Sequence, residues 1–262
     1  MEPLSKRGLY HALSCVGAER FGANLRYESC VGSTNDVARD LAERHAPEGT
    51  LVVANEQSAG RGRMGRTWVA PPGTSILMSV ILRPSLPPTQ ASQTVMACGL
   101  AIAEAVEKAV ARQVTVKWPN DLHLNDRKFA GILSESAIVG EQLQWVVVGM
   151  GINVSQTFAP PDPLAETATS LHMATGQQHD RATLIANIMA HLIVWDDLLG
   201  EAALLQAWRE RCTTLGRRVV ADTPQGRLAG LAQEIDETGV LWIEDDAGAL
   251  HALRAGEVAL VD

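Results

Sequence analysis

Hydrophobic positions along the chain follow two patterns that meet near residue 215. Before that point, helical stripes alternate with short apolar runs. Val37, Ala38 and Leu41 stand at helical spacing behind Ser33-Thr-Asn-Asp36, so Ser33 or Thr34 suits an N-cap and Asp36 suits the first turn. Over 91–113, Val95, Leu100, Ile102, Ala103, Val106 and Val110 form a core-facing stripe with Glu104 and Glu107 on the other side. Leu184, Ile188, Leu192, Trp195 and Leu199 repeat that pattern over 183–199, and a further helix is expected over 201–212 after Gly200. Strands are expected at 50–54, 75–82, 114–117, 131–136 and 145–149, where large or β-branched residues run without helical period.

Past Gly216 the elements shorten. Strand candidates at 218–221, 227–235, 240–244, 250–253 and 258–261 are separated by the turn sequences Pro224-Gln-Gly226, Glu237-Thr-Gly239 and Asp246-Ala-Gly248. Five strands in that space imply a small all-β barrel. Two domains are therefore expected, residues 1–214 and 215–262. No internal repeat is visible, and the Pro-rich stretch 158–163 reads as a surface loop.

Composition narrows the classes. The chain has 262 residues, 46% hydrophobic and 20% charged, which is ordinary for a globular protein and excludes disorder and low complexity. A net charge of -8 argues against a nucleic-acid footprint over the whole surface, so any anion must be met by a local cluster of cations. Cys15, Cys30, Cys98 and Cys212 are scattered without metal-ligand spacing, which disfavours zinc and a disulfide scaffold and fits a reducing cytoplasm. The longest apolar run, Trp145 to Val154, is about half of what crosses a bilayer, so no membrane partner is expected.

The local cluster is Gln57-Ser-Ala-Gly-Arg-Gly-Arg-Met-Gly-Arg-Thr-Trp68, three arginines and three glycines between two strands. Glycine lets backbone approach a ligand, and guanidinium forks grip carboxylate or phosphate. No acidic residue lies between Glu56 and Glu104, so Arg61, Arg63 and Arg66 are expected to lack local counter-ions. Gly60-x-Gly62-x-x-Gly65 matches the dinucleotide fingerprint in form, but Pro71-Pro72-Gly73 follow where a helix should open, and no acidic residue stands about 20 positions on. A P-loop is excluded because no Gly-Lys-Ser/Thr follows. Lys117-Trp-Pro-Asn-Asp121 closes a strand, with Pro119 setting a turn; read alone it is equally a surface turn. Lys128 near the start of the next strand is, alone, as readily a solvated edge residue, and Val146 to Asn153 a plain core strand.

In that order, Gly60-Arg-Gly-Arg-Met-Gly-Arg-Thr-Trp68, Lys117-Trp-Pro-Asn-Asp-Leu122, Lys128-Phe-Ala-Gly-Ile-Leu133 and Gly149-Met-Gly-Ile-Asn153 resemble the successive signatures of the biotin protein ligase family, closely over 33–153 and more loosely beyond. The resemblance implies an α+β fold: a catalytic domain like those of class II aminoacyl-tRNA synthetases and lipoate ligases, followed by an SH3-like β-barrel. It implies activation of biotin by ATP to biotinyl-5'-AMP, then transfer to a lysine of a biotin carboxyl carrier protein, as in acetyl-CoA carboxylase. Magnesium would arrive with ATP, with no side-chain motif of its own. Only 32 residues precede Ser33, too few for the winged helix-turn-helix of family members that are also repressors, so a cytoplasmic ligase without DNA binding is expected, as monomer or homodimer.

Roles follow from the resemblance. Ser33, Thr34, Asn35, Gln57, Arg61, Gly62 and Arg63 would line the biotin pocket, with Lys128 at its acyl-phosphate end. Arg63, Arg66, Trp68, Asn120 and Asn153 would take the nucleotide side. Asp121 would orient or deprotonate the incoming lysine, and Lys117 would support phosphate charge. The loop Gly60 to Thr67 would close over the ligand to exclude water. Three rivals remain: a lipoate or octanoate ligase, a non-catalytic nucleotide- or biotin-binding regulator, and a biotin-dependent repressor.

Overall fold

A computed structural model describes residues 3–223 and 226–261. Helix α1 (Lys6–Cys15) comes first and was not expected from the sequence; Ser5 Oγ accepts from the Gly8 N–H at 3.1 Å, and Leu9 and Leu13 are buried. Strand β1 (Leu25–Glu28) follows, also unanticipated. Then come α2 (Thr34–Glu43), β2 (Leu51–Ala54), β3 (Ser75–Leu82), α3 (Gln93–Val110), β4 (Thr115–Lys117), β5 (Asp121–Leu124), β6 (Arg127–Val139) and β7 (Gln142–Asn153). Helix α3 is shorter than its apolar pattern because Ala111 turns left-handed at φ 50° and its N–H caps the Glu107 carbonyl. Between β5 and β6, Asn125 and Asp126 both take positive φ, the backbone that a two-residue hairpin needs.

The large sheet runs β1-β2-β3-β7-β6-β5-β4, parallel only between β1 and β2. Residue alternation divides its faces. Ile76, Met78, Val80 and Leu82 enter the main core, whereas Ile81 and Val147 pack in a second cluster with Ala38 and Ala42 of α2. On this second face α2 covers only part of the sheet. One cross-strand rung reads Leu77–Gly151–Gly131–Asp121–Lys117, and it lies in the uncovered part.

Helices α4 (Leu171–Thr175), α5 (Arg181–Asp196) and α6 (Ala202–Arg211) complete the first layer set. The C-terminal part is a five-stranded antiparallel sheet, ordered β11-β10-β9-β8-β12, from β8 (Arg218–Thr223), β9 (Gly226–Ile235), β10 (Leu241–Glu244), β11 (Leu250–Leu253) and β12 (Val258–Leu260). Pro224 and Gln225 of the first expected turn lie outside the described residues. Val219, Ile235, Leu241 and Val258 join the same apolar cluster as the large sheet. Polar links fix that docking: Trp118 Nε1 donates to the Gly239 carbonyl at 3.0 Å, and Ser92 Oγ to that of Thr238 at 2.8 Å. Among the described residues, no helix is long and apolar enough to cross a membrane.

Candidate active site

The floor of the site is sheet stripped of side chains. A Cβ on Gly151 would stand 2.6 Å from the Trp68 indole, one on Gly149 2.0 Å from Asn35 Oδ1, and one on Gly131 3.2 Å from both Trp68 and Lys128. Glycine at these three places lets Trp68 lie flat over β6 and β7 and lets Asn35 reach the strand. The cavity above has a volume of about 380 Å³.

At one end the start of α2 meets β3. The Thr34 N–H donates to Gln57 Oε1 at 2.7 Å, Ser79 Oγ donates to Asn35 Oδ1 at 2.7 Å, and the Asn35 amide donates to the Leu133 carbonyl at 3.2 Å. Asn35 Oδ1 can only accept, so Ser79 spends its single proton there. The Thr34 hydroxyl, 2.8 Å from Ser79 Oγ and 2.9 Å from Gln57 Oε1, has one proton to give to one of these two oxygens. Ser33 occupies the N-cap without a side-chain cap bond among the described residues, and it lines the cavity. This end offers neutral hydrogen-bonding groups at a helix N-terminus.

Over the floor runs the 55–74 connection. The expectation that its arginines lack counter-ions is corrected for two of the three. Arg61 meets Glu135 of β6 at 2.5 Å and Asp36 of α2 at 2.9 Å; Arg66 pairs with Glu257, just before β12. The acids are distant in sequence, and the fold brings them in. Only Arg63 keeps neutral partners, Asn120 Oδ1 at 3.1 Å and the Gly256 carbonyl at 3.2 Å. Burial pushes its guanidinium below the usual range, against the pull of Asp121 and Glu257. A half-buried cation held by neutral oxygens is poised for an incoming anion.

Along the edge strands, Lys128 Nζ lies 2.7 Å from Asp121 Oδ1 and 5.9 Å from the Trp68 ring centre. Lys117 sits beside Asp121 on the same rung. Asn120 is fixed by donating to the Ile132 carbonyl at 2.6 Å, and Asn153 by donating to that of Thr169 at 3.1 Å. The Trp68 Nε1–H is buried with no partner among the described residues, a donor left for a ligand.

Every residue singled out from the sequence thus lines one cavity, Gly62 and Arg66 at its roof included. Others were missed. Ser79, Glu135 and His123 carry strand alternation onto the same face, a signal that register alone could have given. His123 is held below the ordinary imidazole value, chiefly by burial. The 158–163 stretch is more than a surface loop: Phe158 is only 5% exposed and lines the cavity, and the adjoining Thr167 carbonyl accepts from the Lys128 N–H at 2.9 Å. Its proline content hid that role.

Fold and cavity together define a class, an α+β small-molecule ligase with a C-terminal sheet. Residues 27–153 match the Biotin/lipoate A/B protein ligase family and 214–261 the Biotin protein ligase C terminal domain. A similar protein, Biotin--[acetyl-CoA-carboxylase] ligase of Mycobacterium tuberculosis, is 34% identical over 98% of this chain and 95% of its own. The chain belongs to the biotin protein ligase family. It is also 38% identical to the Bifunctional ligase/repressor BirA of Bacillus subtilis, over 88% of this chain and 72% of that protein. Biotin protein ligase from Aquifex aeolicus, solved in complex with biotin and ATP, superposes with a TM-score of 0.74 at 26% identity, covering 92% of this chain and 99% of that one.

Proposed function

We propose that the chain joins biotin to ATP as biotinyl-5'-AMP and passes the biotinyl group to a lysine of a biotin carboxyl carrier protein. The observation that carries this reading is the meeting of all four motifs, with the Ser33-Thr-Asn35 helix start, around one cavity. In the first step a biotin carboxylate oxygen attacks the α-phosphorus of ATP, and the bond to pyrophosphate breaks. In the second, a lysine amine attacks the acyl carbon, loses a proton, and AMP leaves.

Both anions of the first step repel, so preorganised cations are needed between them. Arg63 supplies that charge from a half-buried position, and Arg61, Arg66 and Lys128 supply it by exchanging a carboxylate for a ligand oxygen. Ser33, Thr34, Asn35 and Gln57 suit an uncharged ureido ring. The Trp68 face and the side chains of Asn120 and Asn153 suit the nucleotide, with Lys117 supporting phosphate charge. Once Lys128 turns to the acyl phosphate, Asp121 is released to orient the incoming amine and take its proton. Magnesium would arrive with ATP and screen the charge of the triphosphate. A catalytic unit over 1–214, a C-terminal module over 215–262 and a cytoplasmic location complete the reading.

ATP–pyrophosphate exchange tests it. Exchange that depends on biotin and not on lipoate is the expected result; exchange driven by lipoate alone would transfer the assignment to a lipoate ligase.

A further inference from the structure

Arg181 opens α5 and takes no part in the chemistry above. Its side chain is nevertheless buried, with the residue 8% exposed, and among the described residues no carboxylate stands within ion-pair distance of it. Burying an uncompensated guanidinium is costly, so the groups it touches are informative. Nη1 donates to the Ser75 carbonyl at 3.1 Å and Nη2 to Asn55 Oδ1 at 3.0 Å. Asn55 is the first residue after β2, and Ser75 the first of β3. They are the two roots of the connection that carries Gln57, Arg61, Arg63, Arg66 and Trp68. The roots also close on each other, since the Gly73 N–H donates to the Asn55 carbonyl at 3.2 Å. Gly73, at φ 78°, lies beside them: a Cβ there would be in ordinary contact with Arg181 Nη2 at 3.7 Å and with Asn55 Oδ1 at 3.8 Å. Ser75 also pairs with Asn153 across the ladder.

We infer that Arg181 is a positioning residue that clamps both roots of the arginine-bearing loop from α5 and sets where the loop sits over the sheet. One charged fork holding two roots does what no single neutral donor can, which explains a buried cation without a counter-ion. The consequence for turnover rests on the functional reading above, whereas the clamp is a property of the protein alone.

The test uses the full chain and three variants, Arg181→Met, Arg181→Lys and Asn55→Ala. Hydrogen exchange without any substrate should show amides of residues 55–74 exchanging about tenfold faster in Arg181→Met, with β3 and β7 interior amides unchanged. Asn55→Ala should move the same amides in the same direction by less, and adding it to Arg181→Met should change little further. In steady-state assays KM for biotin should rise about tenfold with kcat less affected, and Arg181→Lys should recover part of the loss. Should Arg181→Met fail to fold, Asn55→Ala carries the same reading. Unchanged exchange over 55–74, or acceleration spread evenly over the whole fold, overturns the clamp. Failure of the biotin reading looks different: the unaltered protein would lack biotin-dependent pyrophosphate exchange while the loop still responded to Arg181.

Discussion

The floor and the roof of the cavity are built by different physics. Floor groups such as Asp121 and the three glycines owe their places to the ladder of a seven-stranded sheet, where a shift of one residue would turn every side chain to the other face. Roof groups are held by side-chain links between distant elements, many of them at half-exposed positions: Arg61 is 38% exposed and Arg66 62%. Ion pairs so exposed contribute about 0–1 kcal/mol each. The floor is therefore fixed, and the roof is free to exchange its carboxylates for a ligand.

The contrast breaks first at the floor. Gly151→Val drives a side chain into Trp68 and should lower biotin-dependent pyrophosphate exchange by about a hundredfold or more. Retained exchange would show that the indole need not lie on the sheet. Next in size comes Arg63→Ala, expected to slow adenylation about tenfold or more because it removes the cation held by neutral partners; single-turnover formation of biotinyl-5'-AMP measures it. Ser79→Ala leaves Asn35 Oδ1 short of a donor and should lower stability by about 1–3 kcal/mol, read from the urea midpoint.

A pH series sharpens the same contrast. Burial holds folded His123 below 6.5, the ordinary value, so below that pH the unfolded chain binds more protons than the folded one. Stability should therefore fall as pH drops through 6.5 toward the folded value, and His123→Gln should flatten part of that slope. The smallest effect belongs to the roof. Glu135→Gln should move the melting free energy by less than about 1 kcal/mol; a larger loss would mean that the Arg61 link is part of the core.

Much of this was legible in the chain. β3 lies where its apolar run predicts, and the C-terminal strands lie within a residue or two of theirs, because turn residues and two-residue alternation are local signals. α1 and β1 were not read: one has only Leu9 and Leu13 as its buried stripe, and the other is four residues long. The motif residues were identified individually, but their counter-ions were not, since Asp36, Glu135 and Glu257 reach the loop only through the tertiary fold. Arg181 escaped for the same reason, being an unremarkable helix-start residue until the roots of the loop stand beside it.

The most direct measurement of the central claim is intact-mass spectrometry of a biotin carboxyl carrier domain incubated with this protein, ATP and biotin. The account predicts one added biotinyl group on a single lysine, lost when either small molecule is omitted. A carrier of unchanged mass, with biotin and ATP bound by the protein, would contradict it.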